Sequence, residues 1–317
     1  MTRGPILVTG AAGLIGGRLV RRLAAEGVAV VATDRRALDT PAGVRWATVD
    51  LMDGPALAAL MRDARVGGVV HAGAISGPMV AAGDPHQVMS VNVGGTLNVA
   101  EAALRADVER LIALSSAGVY GAQATLDPVR EEAPLNATNV YGASKIAAET
   151  VLRAYRYDHG LPVIALRPSS VYGPGRTTAC FIRDIVDHAL RGVPLALAPE
   201  GACRRQFVHV DDVVAAILGA LNAPRLDQYA VNISGGTWLS EQEVAAQAAS
   251  VLPGLQIAST AAPARCLDGE MGPLDTARAQ AAFGFSPSIP LTEGIAAYAA
   301  ELLQSEGESA SGGKIFA

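Results

Sequence analysis

The chain begins with a short apolar strand that runs directly into closely spaced glycines, and this feature most restricts what it can fold into. Residues 6–16 read Ile-Leu-Val-Thr-Gly-Ala-Ala-Gly-Leu-Ile-Gly, and apolar residues then recur at helical spacing. Gly10, Gly13 and Gly16 permit a sharp turn, close approach of a phosphate to the backbone, and tight packing of a helix on the strand. The segment therefore predicts a strand–turn–helix unit whose helix N-terminus faces an anion.

A second apolar strand is predicted over Val28–Thr33, and it ends at Asp34. A carboxylate at this point of a βαβ unit accepts hydrogen bonds from an adenosine ribose, so the two strands, the glycine turn and the acid predict a dinucleotide site. The negative charge of Asp34 repels a 2′-phosphate, which favours NAD over NADP. Arg35 and Arg36 follow directly and could accept that phosphate if the loop turned, so NADP stays open.

The composition restricts the class of protein. Half of the 317 residues are apolar, which suits one large α/β domain or two modest domains, and the net charge is −5. The lack of a basic cluster argues against nucleic acid as a partner. The three cysteines are widely spaced and no apolar run reaches the ~18 residues of a membrane span, so we expect a cytoplasmic protein with neither a metal nor a membrane anchor.

Strands and helices alternate through the first half of the chain, which predicts an α/β fold with a Rossmann-type doubly wound parallel sheet. We expect this domain to span residues 1–167, with some later segments returning to it. Shorter and less regular elements over residues 168–305 predict a smaller C-terminal α/β lobe that closes over the crevice and binds the substrate. Residues 306–317 are rich in Ser, Gly and Glu and predict a flexible tail.

Ligands of open parallel sheets bind outside the carboxyl ends of the strands. The glycine turn and the predicted strand ends therefore supply the expected cofactor contacts, which are Gly10, Gly13, Leu14, Ile15, Gly16, Asp34, Arg35, Asp50, Leu51, Ala72, Gly73 and Ala74. A long helix is predicted over Asp84–Ala106 and carries Asn92 near its middle. The fifth strand, Arg110–Leu114, ends at Ser115 and Ser116.

Tyr141 and Lys145 are four residues apart at the start of a predicted helix, so their side chains lie on one face. A tyrosine is a poor base at neutral pH, but a nearby ammonium group and a positive nicotinamide favour the phenolate. The pair therefore predicts a general base, and Ser116 is placed to hydrogen-bond the same substrate oxygen while hydride leaves for the cofactor. The alternative is a core tyrosine beside a solvated lysine.

Several motifs together resemble the extended short-chain dehydrogenase/reductases, specifically the NAD-dependent epimerase/dehydratase branch that includes UDP-glucose/galactose 4-epimerases. The motifs are Thr9–Gly16, Asp34, Asp50-Leu51, Asn92–Thr96, Ser115–Gly121, Tyr141–Lys145, Arg167-Pro168, Tyr172–Gly175 and Arg205–Asp212. The resemblance implies bound NAD, the catalytic residues Ser116, Tyr141 and Lys145, and a homodimer formed by the helices of Asn92 and Tyr141. It also implies further cofactor contacts, which are Asn92, Ser115, Tyr141, Lys145 and Pro168.

The resemblance also bears on the reaction. The two residues after Ser116 are Ala and Gly, whereas the sugar-nucleotide 4,6-dehydratases have an Asp-Glu acid–base pair there, so dehydration is not expected. Arg205 and the pair Arg265 and Asp268 stand where UDP-galactose 4-epimerases hold the substrate diphosphate, and guanidinium groups suit a dianion. We therefore expect a nucleotide-sugar 4-epimerase.

Two departures from the family pattern favour a smaller substrate. Ser170 stands where the family usually has an Asn, and residues 176–181 lack the Asn that often follows Tyr-Gly-Pro-Gly in the family. The loop of Ser76 likewise offers few polar groups to a sugar. A small sugar acid would fit these changes, with Arg176 holding its carboxylate. A dehydrogenase of a small sugar acid, lactol or polyol stays open, as does a non-catalytic dinucleotide-binding protein. Tyr120 and Tyr172 either form the wall of the substrate pocket or cap the core. The expected substrate contacts are Ser76, Ser116, Tyr120, Ser170, Tyr172, Arg176, Arg205, Arg265 and Asp268.

Overall fold

The computed structural model describes residues 2–198, 204–260 and 269–312, with side chains described through residue 304. The strands are β1 (Ile6–Thr9), β2 (Val30–Asp34), β3 (Arg45–Thr48), β4 (Gly68–His71), β5 (Arg110–Leu114), β6 (Val163–Pro168), β7 (Ser170–Tyr172), β8 (Leu195–Leu197), β9 (Phe207–His209), β10 (Ala230–Ile233) and β11 (Ile257–Ser259). The helices are α1 (Leu14–Ala25), α2 (Gly54–Asp63), α3 (Pro85–Met89), α4 (Gly95–Arg105), α5 (Val140–His159), α6 (Phe181–Arg191), α7 (Val210–Asn222), α8 (Glu241–Ala249), α9 (Ala277–Phe283) and α10 (Leu291–Gly312). Across these ranges, no helix combines the length and apolarity needed to cross a bilayer.

Seven parallel strands form the central sheet in the order β10-β6-β5-β4-β1-β2-β3. Ile6 of β1 lies between Val30 of β2 and Gly68 of β4, so the winding of the chain reverses at β1. This order confirms the predicted doubly wound Rossmann-type fold. A crevice opens where the order reverses, outside the carboxyl ends of β1 and β4, and such a crevice is where sheets of this type bind their ligands.

The edge strand β10 comes from late in the chain. It pairs with β6 in parallel, and Ala230 lies opposite Ala165. Val231 and Ile233 of β10 are fully buried, as expected for a strand covered on both faces. The sheet is therefore completed by a strand from within residues 168–305, the segment predicted to form the smaller lobe.

Apolar cores cover both faces of the sheet and fill the smaller lobe. On one face, α1 and α7 pack around Leu19 and Ile217. On the other face, α2 and α4 pack around Leu57 and Val99. In the lobe, α6, α8 and α10 enclose a third core that includes Ile295, and the short parallel pairs β7–β9 and β8–β11 lie beside it. The two-sided burial explains the nearly continuous apolar runs of the central strands.

Two helices differ from the sequence prediction. The segment predicted as one long helix contains a π-helical turn, Ser90–Gly94, between α3 and α4. Such a turn inserts one residue into the helix and often marks a functional site. The last helix, α10, continues to Gly312, past residue 306 where the predicted tail begins. Residues 313–317 of the predicted tail lie outside the described residues.

Candidate active site

The glycine turn between β1 and α1 forms a cradle at the carboxyl edge of the sheet. Gly10 has a φ of +66°, and a Cβ there would lie 2.5 Å from the Cα of Gly73. A Cβ on Gly16 would lie 2.2 Å from the carbonyl oxygen of Gly10. Gly13 is the extended N-cap of α1 and has no side chain to cap it, so the first-turn amides of Leu14 and Ile15 face the crevice side. The cradle fits a diphosphate.

Asp34 ends β2 beside this cradle. Its Oδ2 accepts a hydrogen bond of 3.1 Å from the amide nitrogen of Ala12 in the glycine turn. A carboxylate has several acceptor positions, so Asp34 can hold the turn and also accept a ribose hydroxyl. Arg35 is exposed next to it. The position of the carboxylate is the one the sequence predicts for a ribose contact.

The remaining predicted adenosine-side residues lie along the same edge. Asp50 is exposed after β3, and its Oδ1 accepts a hydrogen bond of 2.9 Å from the amide of Met52. The side chain of Leu51 packs against the backbone of Gly73, where a Cβ would lie 2.9 Å from Leu51 Cδ1. Ala72 and Ala74 are half-buried after β4. Small residues therefore follow β4 at this edge of the sheet.

A buried histidine, His71, joins three segments beneath this edge of the sheet. His71 Nδ1 lies 2.8 Å from Oγ1 of Thr9, and its Nε2 lies 3.1 Å from Oγ1 of Thr96. The Thr96 hydroxyl donates to the carbonyl oxygen of Asn92, so it must accept from Nε2–H, whereas Nδ1 accepts from Thr9. The Thr9 oxygen in turn accepts from the amide of Gly73. Burial lowers the pKa of His71 to about 3, so the ring is neutral.

Asn92, at the centre of the π turn, is held by protein groups on both sides. Its Oδ1 accepts from the amide of Ile75 at 2.8 Å, and its Nδ2 donates to the Ile75 carbonyl oxygen at 3.0 Å and to Ser144 Oγ at 2.9 Å. The Ser144 hydroxyl donates to the carbonyl oxygen of Tyr141. The predicted cofactor contact therefore positions the loop after β4 and the start of α5 through its side chain.

The three predicted catalytic residues lie together at this edge. Lys145 Nζ donates a hydrogen bond of 2.8 Å to the carbonyl oxygen of Leu114, two residues before Ser116. The same Nζ lies 6.0 Å from the centre of the Tyr141 ring. Tyr141 and Lys145 are only 9% and 8% exposed, and Ser116 Oγ accepts a hydrogen bond from the amide of Gly118. The phenol ring and the ammonium thus lie near each other beside the end of β5, where Ser116 follows.

A buried ion pair lies one helical turn beyond Lys145. Arg167 Nε and Nη2 donate to the two carboxylate oxygens of Glu149 at 2.9 and 2.6 Å, and the side chains are 5% and 4% exposed. The Ser115 hydroxyl also donates to Glu149, so this predicted cofactor contact points into the interior. Burial lowers the pKa of Lys145 to about 8, and the charge of Glu149 opposes that shift. Sequence reasoning missed Glu149, although its spacing from Lys145 on α5 was the available signal.

A pocket opens beside Ser116 on the side of the lobe. Its wall includes four predicted site residues and several unpredicted ones; it consists of Ser116, Ala117, Gly118, Pro168, Ser169, Ser170, Arg204, Arg205, Gln206, Trp238, Gly269, Met271 and Gly272. The Arg204 guanidinium lies 5.1 Å from the centre of the Trp238 ring. The Ser169 hydroxyl is buried and has no hydrogen-bond partner among the described residues, so it suits a polar ligand group.

The two predicted tyrosines belong to the core and not to the wall of this pocket. Tyr120 is fully buried; its hydroxyl donates to Asn232 Oδ1 at 2.7 Å and accepts from Arg167 at 2.9 Å. Burial raises the pKa of Tyr120 to about 12. Tyr172 is also buried, and its ring packs edge-on against His209. Of the two interpretations of the sequence, the structure therefore favours core caps, because burying each ring removes a large apolar surface from water.

Arg176 folds the loop that follows β7. Its guanidinium donates to carbonyl oxygens within residues 171–179, which occupies the donors that the predicted carboxylate clamp would use. Ser76 is exposed on the loop that Asn92 holds. The predicted substrate contacts Arg265 and Asp268 lie outside the described residues. Among the residues that are described, no cluster of side chains is suited to a metal ion.

Comparisons with known proteins identify the family of this chain. Residues 6–234 match the sequence profile of the NAD dependent epimerase/dehydratase family. UDP-glucose 4-epimerase from Mycolicibacterium smegmatis is 31% identical over 303 residues, which cover 92% of this chain and 96% of that protein. The dTDP-glucose 4,6-dehydratase from Streptomyces griseus is 30% identical over 314 residues and 92% of each chain.

A solved structure extends the comparison to three dimensions. MoeE5 in complex with UDP-glucuronic acid and NAD is 32% identical to this chain, covers 95% of it and 100% of its own length, and superposes with a TM-score of 0.85. The glycine cradle and the carboxylate of Asp34 fit NAD, the cofactor of the matched family. From its sequence profile, its fold and its cofactor cradle, this chain belongs to the NAD-dependent epimerase/dehydratase family.

Proposed function

We propose that this chain is a 4-epimerase of a nucleotide sugar. The observation that supports the proposal is that Lys145 Nζ lies 6.0 Å from the centre of the Tyr141 ring and donates a hydrogen bond to the Leu114 carbonyl oxygen, two residues before Ser116, which lines a pocket together with Arg205. This arrangement suits removal of a hydroxyl proton while a hydride leaves the same carbon. The similarity to a UDP-glucose 4-epimerase over nearly the whole chain supports the same reaction class.

The residues of this chain handle the proton and orient the sugar. The chemistry that NAD supplies when bound is reversible acceptance of a hydride from the sugar carbon. Tyr141, as the phenolate, removes the proton of the sugar hydroxyl, and the ammonium of Lys145 stabilises that phenolate. The Ser116 hydroxyl hydrogen-bonds the sugar oxygen while it becomes a carbonyl. After the sugar presents its other face, Tyr141 returns the proton to the same oxygen, which completes the inversion.

The segment after Ser116 supports epimerisation over dehydration. A 4,6-dehydratase needs an acid and a base near the group that leaves as water, but Ala117 and Gly118 have no ionisable side chain. Both residues are buried, and the Gly118 amide donates to Ser116 Oγ at 3.1 Å. The similarity to a dehydratase therefore reflects the shared oxidation step, which both reactions begin with.

The pocket beside Ser116 supports an anionic sugar nucleotide as the substrate. Arg205 lies 3.7 Å from Glu241 and Arg204 lies 3.0 Å from Glu243, so the two acids of α8 fix both guanidinium groups at the wall. Guanidinium groups suit diphosphate and carboxylate oxygens, and the buried hydroxyl of Ser169 suits a sugar hydroxyl or carboxylate. MoeE5, which was solved with UDP-glucuronic acid, makes a uronic acid sugar a candidate beside a neutral hexose.

We also propose a homodimer formed through α4 and α5. Leu97 on α4 and Val140 and Tyr157 on α5 are large apolar side chains that are exposed in the single chain. Burying them against a second copy removes their apolar surface from water. Sedimentation should give a dimer that Leu97→Glu weakens, whereas Leu126→Glu, at another exposed leucine, should leave it intact. A monomeric wild-type protein contradicts this assembly.

The decisive experiment incubates the purified protein and NAD with UDP-glucose, UDP-galactose and UDP-glucuronic acid. The absorbance of the reduced nicotinamide and the sugar composition are followed together. Formation of an epimer without net reduction supports the proposal. Stoichiometric reduction instead supports a dehydrogenase, and binding of NAD without any turnover supports a non-catalytic protein.

A matched pair of variants tests the base. Tyr141→Phe removes the phenol oxygen that takes the proton, so activity should be lost while NAD still binds. Tyr157→Phe changes an exposed tyrosine on the same helix and should retain full activity. Full activity in Tyr141→Phe rules out this residue as the base.

A further inference from the structure

We infer that the buried pair Glu149 and Arg167 sets the charge on Lys145, and through it the readiness of Tyr141 to act as a base. The two residues are positioning residues, because they act through Lys145 and not on the substrate. The consequence for turnover rests on the proposed function. The charge on Lys145 itself can be measured without any substrate.

The geometry begins with one face of α5. Tyr141, Lys145 and Glu149 follow one another at four-residue spacing, so they form a single row along the helix. Adjacent residues at the end of β5 hold two of them: the Leu114 carbonyl oxygen accepts from Lys145 Nζ, and the Ser115 hydroxyl donates to Glu149. The ammonium and the carboxylate are therefore held one helical turn apart in the interior, each by one of two adjacent residues at the end of β5.

Arg167 enters from the neighbouring strand β6. Leu166, the residue before it, lies opposite Leu114 of β5, which brings the guanidinium to the far side of Glu149. Its two hydrogen bonds to the carboxylate are parallel and form a two-pronged ion pair. Arg167 therefore partly neutralises the negative charge that Lys145 experiences. In this arrangement Glu149 stabilises the protonated form of Lys145, and Arg167 weakens that stabilisation.

The other titratable groups packed around the pair are His71, Tyr120, Tyr229 and Glu131, and the carboxylate of Glu131 is itself ion-paired with Arg278. His71 on β4 faces Lys145 and is neutral, because burial lowers its pKa to about 3. The Tyr120 hydroxyl accepts from Arg167, and the Tyr229 hydroxyl donates to the backbone carbonyl of Glu149. Burial raises the pKa of both tyrosines. The balance between Glu149 and Arg167 thus remains the controlling charge.

Replacing Glu149 or Arg167 separately should shift the pKa of Lys145 in opposite directions. Burial lowers the pKa of Lys145 to about 8 against the support of Glu149. Glu149→Gln removes that support and leaves the positive Arg167, so the pKa of Lys145 should fall by about one unit or more. Arg167→Met leaves Glu149 unneutralised, so the pKa of Lys145 should rise. If the pair had only a structural role, the two variants would not shift the pKa of Lys145 in opposite directions.

The sequence makes a direct measurement possible, because the chain has only two lysines, Lys145 and Lys314. Lysine labelled with ¹⁵N at Nζ gives two side-chain signals by NMR, and Lys314→Arg assigns them. The pH titration of the Lys145 signal is then compared in the wild type, Glu149→Gln, Arg167→Met and Asp158→Asn. Asp158 is an exposed acid on the same helix and serves as the control, for which no shift is expected.

A double variant guards against misfolding of the single variants. Glu149→Gln with Arg167→Met removes both charges of the ion pair together and leaves neither partner without the other, so it should fold even where a single variant does not. Because the charge of Glu149 acts on Lys145 more strongly than that of Arg167 does, the double variant should titrate below the wild type and above Glu149→Gln. A Lys145 titration that is the same as the wild type in the double variant, or single variants that shift in the same direction, overturns the inference.

The pH profile of turnover supplies a second readout. Loss of the Lys145 proton should set the alkaline limb of kcat, so this limb should move to lower pH in Glu149→Gln and to higher pH in Arg167→Met. An alkaline limb that does not follow the Lys145 titration contradicts the link to Tyr141. Absence of any turnover contradicts the proposed function, whereas the NMR order of the variants still decides whether the pair sets the charge.

Discussion

Asn92 Nδ2 and Ser144 Oγ share a hydrogen bond of 2.9 Å that joins the π turn to α5, one residue before Lys145. The same amide group holds both backbone atoms of Ile75, so one side chain fixes the loop after β4 and the helix of the general base together. The π turn, which inserts one residue into the helix predicted by the sequence, holds Asn92 in the interior, where it is only 2% exposed.

We predict that Asn92→Ala lowers both stability and turnover. The substitution removes three hydrogen bonds and leaves buried backbone groups of Ile75 unpaired, which should lower the free energy of unfolding by about 2 kcal/mol or more. A small shift of α5 should reduce kcat by about 10- to 100-fold. Urea unfolding and steady-state kinetics measure the two effects. Asn222→Ala, at an exposed position, should change neither.

We predict that Gly16→Ala damages the cofactor cradle. The new Cβ would lie 2.2 Å from the Gly10 carbonyl oxygen, so the turn or α1 must shift, at a cost of about 1–3 kcal/mol. NAD binding, measured by isothermal titration calorimetry, should weaken at least tenfold. Gly83→Ala is the matched control, because a Cβ at Gly83 meets nothing within 4 Å. Equal NAD affinity in the two variants would contradict the role of Gly16.

We predict that Asp34→Ala weakens NAD binding and reduces the preference for NAD over NADP. The carboxylate holds the amide of Ala12 at 3.1 Å, and its charge repels a 2′-phosphate. Affinities for NAD and NADP, measured side by side in the wild type and the variant, test both effects. Asp39→Ala, at an exposed acid in the following loop, should leave the ratio of affinities unchanged. An unchanged ratio in Asp34→Ala argues against a ribose contact.

We predict that His71 makes the protein less stable as the pH falls. The pKa of His71 is lowered to about 3 in the folded chain, whereas the unfolded chain takes up a proton near pH 6.5. Below pH 6.5 the unfolded state therefore binds more protons, and the free energy of unfolding should fall by about 1.4 kcal/mol per pH unit. Urea unfolding between pH 5 and 7 should show this slope in the wild type and lose it in His71→Asn. His86→Asn, at an exposed histidine, should retain it.

Residues whose role depends on nearby sequence could be predicted. The cradle glycines and the row of Tyr141 and Lys145 are set by short spacings within one turn or one helix, and the structure brings them to the expected edge. The sheet order follows from alternation of strands and helices. Local spacing therefore predicted the fold class and the grouping of the proposed catalytic residues.

Residues whose role depends on distant partners could not be predicted. Arg167 pairs with Glu149, and Tyr120 hydrogen-bonds Asn232, which is more than a hundred residues away. A sequence pattern does not show whether a polar side chain turns toward a crevice or toward a buried partner. This is why Tyr120 was expected at the substrate pocket and the ion pair was not expected at all.

The late origin of β10 has a consequence for how the molecule is made. The strand that covers the edge of β6 lies at residues 230–233. The ribosome must therefore synthesise and release residues 169–233 before the sheet can be completed. Until then β6 exposes an unpaired row of backbone groups, which is a template for aggregation. Truncation after residue 167 leaves the same edge open, and the amino-terminal part of the chain therefore depends on its carboxyl-terminal part to remain soluble during biosynthesis.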